Sequence, residues 1–296
     1  MSSKRNLFGF ANVESLRKVE SSMHIIDDLR ISPFLPIDKV TSLSKIWKDF
    51  KENNNRLTRK TSWGEIEIRN RILTQHHLEV FSVLMVCKRS IKEKKDGKII
   101  IYFSLREIAG ILYSSKTWGK QTSQHLEEKL QEIADTRIIR KYKNGDSTSY
   151  SIIEKIAYSK KEDMWGIILS DEYSKLFKEN ITINFAKRID DILKIKGEGS
   201  GLIKAIIHHF ITHQNTNSDR DSDKKIKVQR ISLIQLLETV GANTSDRQIR
   251  SAISALNKNK EILESFSITF HSKDRRFEFF GTNGVLLVPA LSNIIK

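Results

Sequence analysis

Residues 99–153 read IIIYFSLREIAGILYSSKTWGKQTSQHLEEKLQEIADTRIIRKYKNGDSTSYSII, and the order of patterns inside this stretch decides the fold. Ile99 to Phe103 is a short apolar run of strand length. Ser104 follows as a helix N-cap, with Leu105, Ile108, Ile111 and Leu112 recurring at intervals of three and four. A polar turn, YSSKTWGKQ, leads into a second helix with Leu126, Leu130 and Ile133 on one face. Arg137 to Lys143 and Asp146 to Ile153 then flank Asn144-Gly145, a dipeptide suited to a two-residue type I′ hairpin because both positions need positive φ.

Upstream of this stretch, Glu65 to Arg69 is strand-like, and Leu73 to Lys88 places Leu73, Leu78, Phe81, Leu84 and Met85 at helical spacing. The order helix, strand, helix, turn, helix, β-hairpin is the winged-helix plan. It returns after a strand-like stretch at Trp165 to Leu169. Leu202 to Thr212 reads as a helix, Ile226 to Arg230 as a strand, Ser232 to Val240 as a helix and Ser245 to Glu264 as a longer one. Alternating Phe266, Ile268 and Phe270, then Phe277 and Phe279, make a second hairpin with a charged tip. The expected fold is therefore α+β, mainly helical, with two tandem winged-helix domains at 61–160 and 161–296. Residues 1–60 precede them as an N-terminal arm and linker. Within the arm, 12–30 and 41–52 carry helical spacing, and the polar KENNNRLTRK of residues 51–60 reads as a linker.

Length and charge fit that organisation. The 296 residues suffice for about two domains. With 51 Lys and Arg against 36 Asp and Glu, the chain carries a formal +15, which points to a polyanionic partner, nucleic acid first and anionic membrane second. One cysteine, Cys87, excludes an intramolecular disulfide or a thiolate zinc cluster and fits a reducing compartment. No stretch approaches the roughly 18 uninterrupted apolar residues of a membrane span, and the first residues, MSSKRNLFGF, have no apolar leader core. A soluble, cytoplasmic, DNA-associated protein without a membrane partner is expected.

In a winged helix the second helix of the pair enters the DNA major groove, where each base pair shows its own donor and acceptor pattern. The outward face of the first such helix carries Lys120, Gln121 and Gln124, and that of the second carries Arg247, Gln248, Arg250, Ser251, Ser254 and Lys258. Arginine suits guanine and glutamine suits adenine. Any surface helix has a polar outer face, so what favours base reading is the cationic excess of the second one. Phosphate contacts are expected from the wings: Arg140, Lys141 and Lys143 in the first, and Lys273, Arg275 and Arg276 in the second. Lysine on an edge strand also guards against aggregation, and this competing account weighs more on the first wing than on the second.

Enzyme chemistry finds little support. His208, His209 and His213 include an i,i+4 pair, yet no HExxH motif or neighbouring carboxylates complete a metal site, and they read as ordinary helix histidines. A nicking enzyme needs two histidines flanking one apolar strand residue plus a nucleophilic tyrosine. The phosphate-loop pattern fails because Ser114 stands at its first glycine. Gly197, Gly199 and Gly201 lack dinucleotide-binding spacing and read as a flexible lead-in to the next helix. Trp63, Trp118 and Trp165 are expected to close small cores. No catalytic residue, cofactor or metal is expected.

The runs RNRILTQHHLEVFSVLM, YFSLREIAGIL and KTWGKQTSQHLEEKLQEIADTRIIRKY, followed by a second copy ending in a basic hairpin, resemble the iteron-binding plasmid replication initiators of the Rep superfamily, with the TrfA-like branch as one candidate. The likeness covers the layout of residues 60–290; the arm is least matched. The resemblance implies a bacterial initiator that binds direct repeats at an origin in double-stranded DNA, helps to open it and recruits host replication proteins such as the helicase. It also implies a homodimer when free and a monomer on DNA. A transcriptional repressor with the same two heads is the runner-up, followed by an RNA-binding basic protein and, last, a nuclease.

Overall fold

The computed structural model describes residues 13–15, 23–25, 28–29, 32–61, 64–86, 88–94, 97–113, 118–179, 182–185, 188–212, 229–279 and 286–288. The architecture is α+β. The arm differs from its expected helical form. Over 12–30 it contributes two short strands, β1 (Val13–Ser15) and β2 (Met23–Ile25), where pairing with distant strands overrides local helical spacing, while residues 28–29 are helical. Helix α1 (Lys45–Glu52) confirms the expectation for 41–52 and is N-capped by Ser44, whose side chain accepts from the Trp47 amide. Residues 51–60 are not a linker. Lys51 and Glu52 end α1, Asn54 and Asn55 both adopt φ 56°, and the chain reverses into β3 (Arg56–Thr61). Asparagine tolerates the left-handed region better than other non-glycine residues, so this run is a tight reversal.

Strand β3 pairs antiparallel with β4 (Gly64–Arg69). Helix α2 (Gln75–Val86) and strands β5 (Lys88–Lys94) and β6 (Ile99–Phe103) follow, then α3 (Leu105–Leu112), α4 (Lys120–Asp135) and the hairpin β7 (Arg137–Tyr142) to β8 (Ser147–Tyr150). The expected elements occur in the expected order, with β3 and β5 as unexpected additions, but the pairing is not that of a simple winged helix. The hairpin extends the β3–β4 pair into a sheet of order β3-β4-β7-β8. Buried along its whole length, β6 lies instead in a sheet of order β1-β5-β6-β10-β9, with β9 (Ile153–Ser159) and β10 (Met164–Leu169). An all-apolar run buried on both faces belongs in a sheet interior, which explains why it does not edge a hairpin. The turn is also not type I′. Only Gly145 of the pair has positive φ, at 94°; its amide donates to the Tyr142 carbonyl and the Tyr142 amide donates to that of Asp146, closing a three-residue loop with a glycine bulge.

The second half runs α5 (Asp171–Glu179), β11 (Thr182–Asn184), α6 (Arg188–Leu193), α7 (Ser200–Ile211), β12 (Gln229–Ser232), α8 (Leu233–Val240) and α9 (Asp246–Lys258). It ends with α10 (Lys260–Ser265), β13 (Ile268–His271), β14 (Arg276–Phe279) and β15 (Leu286–Val288). β2, β11 and β15 form a separate sheet. The long helix expected from Ser245 to Glu264 breaks at Asn259, which leaves helical geometry at φ −108° and ψ 24°. Strand β12 ends two residues beyond its expected end, at Ser232. Here the sheet order is β12-β14-β13, so the strand between the first two helices does pair with the hairpin.

One buried apolar cluster runs through both halves, from Ile66 and Leu78 through Leu126, Ile206 and Phe210 to Leu256 and Phe277. The arm is built into this body. Leu35 donates to the Leu73 carbonyl, Gln75 to that of Ile37, and Ser200 Oγ to Asp38 Oδ1 at 2.5 Å. Gly201 permits the approach: a Cβ there would lie 2.5 Å from the Ile37 carbonyl carbon. Trp118 and Trp165 pack against the main core as expected, whereas Trp63 lies outside the described residues. Among the described residues no helix is long and apolar enough to cross a membrane.

Candidate nucleic-acid interface

In the second half, α9 and the β13–β14 hairpin carry exposed cations. Ser232 and Gln235 form a reciprocal capping box at the start of α8, and Gly241, at φ 74°, ends that helix. A turn then delivers Ser245 as N-cap of α9, with its amide donating to Asn243 Oδ1 at 2.8 Å. Helix α9 buries Ile249, Ala252, Ala255 and Leu256. The small alanines let it lie close to the chain before α7, where a Cβ on Gly199 would stand 2.7 Å from Ala255 Cβ. The opposite face leaves Arg247, Gln248, Arg250, Ser251, Ser254 and Lys258 exposed, and none has a side-chain partner among the described residues. From residue 247 to 258 the helix rises about 16 Å, a length that matches entry into a groove about 12 Å wide.

The adjoining wing places Lys273, Arg275 and Arg276 at its exposed tip, with Asp274 among them. Arg275 adopts φ 49°, and its carbonyl accepts from the Leu233 amide at 2.8 Å, which ties the tip to the start of α8. Lower on the hairpin the charges are internal: Glu278 accepts from Arg230 at 2.9 Å and lies 3.5 Å from His271. The three tip cations have no such partner among the described residues.

The first half differs. Lys120, Gln121 and Gln124 are exposed on α4 as expected, with Gln121 and Gln124 lining an open cleft of 1410 Å³ opposite the segment that leads into α7. Its wing is largely neutralised from within. Arg140 is the clear correction: its side chain is fully buried, paired with the buried Asp28 of the arm and 5.5 Å over the Tyr150 ring, so it cannot reach a phosphate. Tyr173 completes the site by donating to Asp28 Oδ2 at 2.6 Å. Lys141 is exposed but bonded to Glu65 at 2.9 Å, a pairing that holds its ammonium above the ordinary lysine range. Arg137 is bonded to Ser149 through its side chain and carbonyl. Lys143 remains exposed at the tip.

The histidines of α7 are buried, with His208 edge-on to Phe185 and His209 edge-on to Phe210; His213 lies outside the described residues. Sequence reading also missed Arg59. Its Nη2 donates to the Ser32 carbonyl at 2.9 Å, while its Nε and Nη1 are enclosed against Gly241 with no partner among the described residues, and burial lowers its pKa to about 10.

No protein-family model and no curated protein sequence matches the chain. Two solved structures of domains 2 and 3 of RctB are similar to it. One has a TM-score of 0.41 at 8% identity, over 81% of this chain and 93% of that chain. The other, of selenomethionine derivatives, has a TM-score of 0.46 at 10% identity, over 82% of this chain and 87% of that one.

Proposed function

We propose that the chain is a sequence-specific double-stranded DNA-binding protein that reads base edges with α9 and grips phosphates with the β13–β14 wing. The observation that carries this reading is the joint exposure of an unpartnered polar and cationic strip on α9 and three unpaired cations on the neighbouring wing. On the first hairpin, by contrast, Arg140 and Lys141 are paired internally. Cations left unpaired on one face of a chain with net charge +15 are suited to an external polyanion. The β12-β14-β13 order around α8 and α9 agrees with a winged-helix head, and the first half is read as a modified second head whose hairpin takes its third strand from before α2.

Within that class we read the protein as a replication initiator acting on direct repeats, helping to open an origin and recruiting host helicase, dimeric when free and monomeric on DNA. This finer reading rests on the tandem layout of the sequence. Selection from a pool of random duplexes, followed by sequencing, tests the first level: an enriched motif of about two helical turns supports two reading heads, and no enrichment overturns sequence-specific binding. Sedimentation with and without a direct-repeat duplex tests the second. A dimer that gives one chain per repeat supports it, and an intact dimer on a single direct repeat excludes it.

A further inference from the structure

At the mouth of the cleft between α2 and α4, two histidines from different helices bring their Nε2 atoms within 3.3 Å of each other. His76 lies in the first turn of α2 and His125 in α4; their rings are 5.4 Å apart between centres and inclined by 18°. Zinc–imidazole bonds of about 2.0–2.1 Å at a tetrahedral angle separate two such nitrogens by about 3.3–3.4 Å. The separation is therefore that of two ligands on one ion.

The hydrogen bonds behind one of the rings suit the site as well. Glu79 is buried and ion-paired with Lys204, which also lies in the interior. An ionised carboxylate only accepts, so His76 Nδ1 must carry the proton that it donates to Glu79 Oε2 at 3.1 Å. That leaves His76 Nε2 as a lone pair. A carboxylate bonded to the remote nitrogen is the arrangement that orients metal-bound histidines and raises their basicity. Tyr113 Oη lies 3.2 Å from the same Nε2 and must turn aside for an ion to enter. Glu128, one turn beyond His125 on α4, lines the same cleft and has no ion pair among the described residues.

We propose that His76, His125 and Glu128 bind one divalent transition-metal ion, zinc by ligand type, which would clamp α4 to α2. Among the described residues no three such ligands are already gathered around one point. Binding therefore requires Glu128 to swing inward, with water in the fourth position.

The test uses the full chain without a polyhistidine tag and Zn²⁺ alone as the probe, read by titration calorimetry and by thermal unfolding with and without the ion. One ion per chain is expected, with Zn²⁺ raising the unfolding temperature. His76→Ala and His125→Gln should each weaken binding at least tenfold, and Glu128→Gln by less. His271→Ala, on β13 away from the cleft, should leave it unchanged. Cobalt in place of zinc should give the intense visible absorption of a tetrahedral ion. Circular dichroism of each variant separates loss of the site from loss of the fold. No binding by the natural chain, or equal binding by folded His76→Ala and His125→Gln variants, overturns the proposal.

Discussion

Neutralising the second wing is the most direct perturbation of the proposed interface. Lys273, Arg275 and Arg276 are exposed and unpaired among the described residues, so each can exchange a condensed counterion for a phosphate without first breaking an internal bond. Each contact contributes about 0.9 to the slope of log affinity against log salt, so replacing all three by glutamine should flatten the slope by up to about 2.7. Between 50 and 200 mM salt, the affinity advantage of the natural chain should then shrink by roughly 40-fold. Fluorescence anisotropy on a cognate and a random duplex over that range measures the effect, which should be the same on both because phosphates carry no sequence. Lys141→Gln serves as the internal comparison. Its ammonium is already bonded to Glu65, so its effect on the slope should stay below about 0.5. A folded triple variant with an unchanged slope, or a Lys141 variant with the larger effect, would refute the assignment.

Further expectations concern single residues. Arg247→Ala should weaken specific binding by about 1–3 kcal/mol and spare random duplexes; equal loss on both, measured by the same anisotropy assay, would reassign it to a phosphate. Asp28→Asn leaves the Arg140 guanidinium buried without its carboxylate and should destabilise the fold by about 3–5 kcal/mol in urea unfolding, whereas a loss below about 1 kcal/mol would show that the pair is not the anchor of the arm. Gly201→Ala gains helix propensity of about 1 kcal/mol but drives a Cβ into the Ile37 backbone, for a net destabilisation of roughly 1–3 kcal/mol. A more stable alanine variant in the same unfolding assay would contradict the docking of residues 37 and 38 on α7.

The helices and the hairpin order were legible because each depends on local periodicity and on residues such as Ser232 and Gly145 that act within a few positions. What local pattern leaves open is partnership between strands. Ile99 to Phe103 reads correctly as a strand, yet its five consecutive apolar residues already indicate burial on both faces, which a hairpin edge does not offer. Arg140 carried a legible signal that charge alone obscures: in a strand it shares a face with Ile138, two residues before, and that face is the core. The partner that makes its burial tolerable, Asp28, is 112 residues away and has no local signature. The asparagines at 53–55 mislead in the opposite direction, since polarity reads as a linker while the positive φ of Asn54 and Asn55 builds a turn.

The two hairpins show how strand partnership controls surface charge. In the first, the β3–β4 pair docks alongside β7, and β4 brings Glu65 to Lys141. Burial of one β7 face against the arm also draws Arg140 inward to Asp28. Pairing with β4 and packing against the arm thus remove two of the three cations that its sequence offers to a phosphate, and leave Lys143. In the second, β12 supplies only four residues, and its charged Arg230 meets Glu278 below the tip. Among the described residues nothing pairs with the side chains of Lys273, Arg275 and Arg276, and these cations remain available. If both heads engage DNA, the electrostatic share therefore falls mainly on the second, while the first must rely on Lys120, Gln121, Gln124 and Lys143. The salt slopes of the two wing variants measure that division directly.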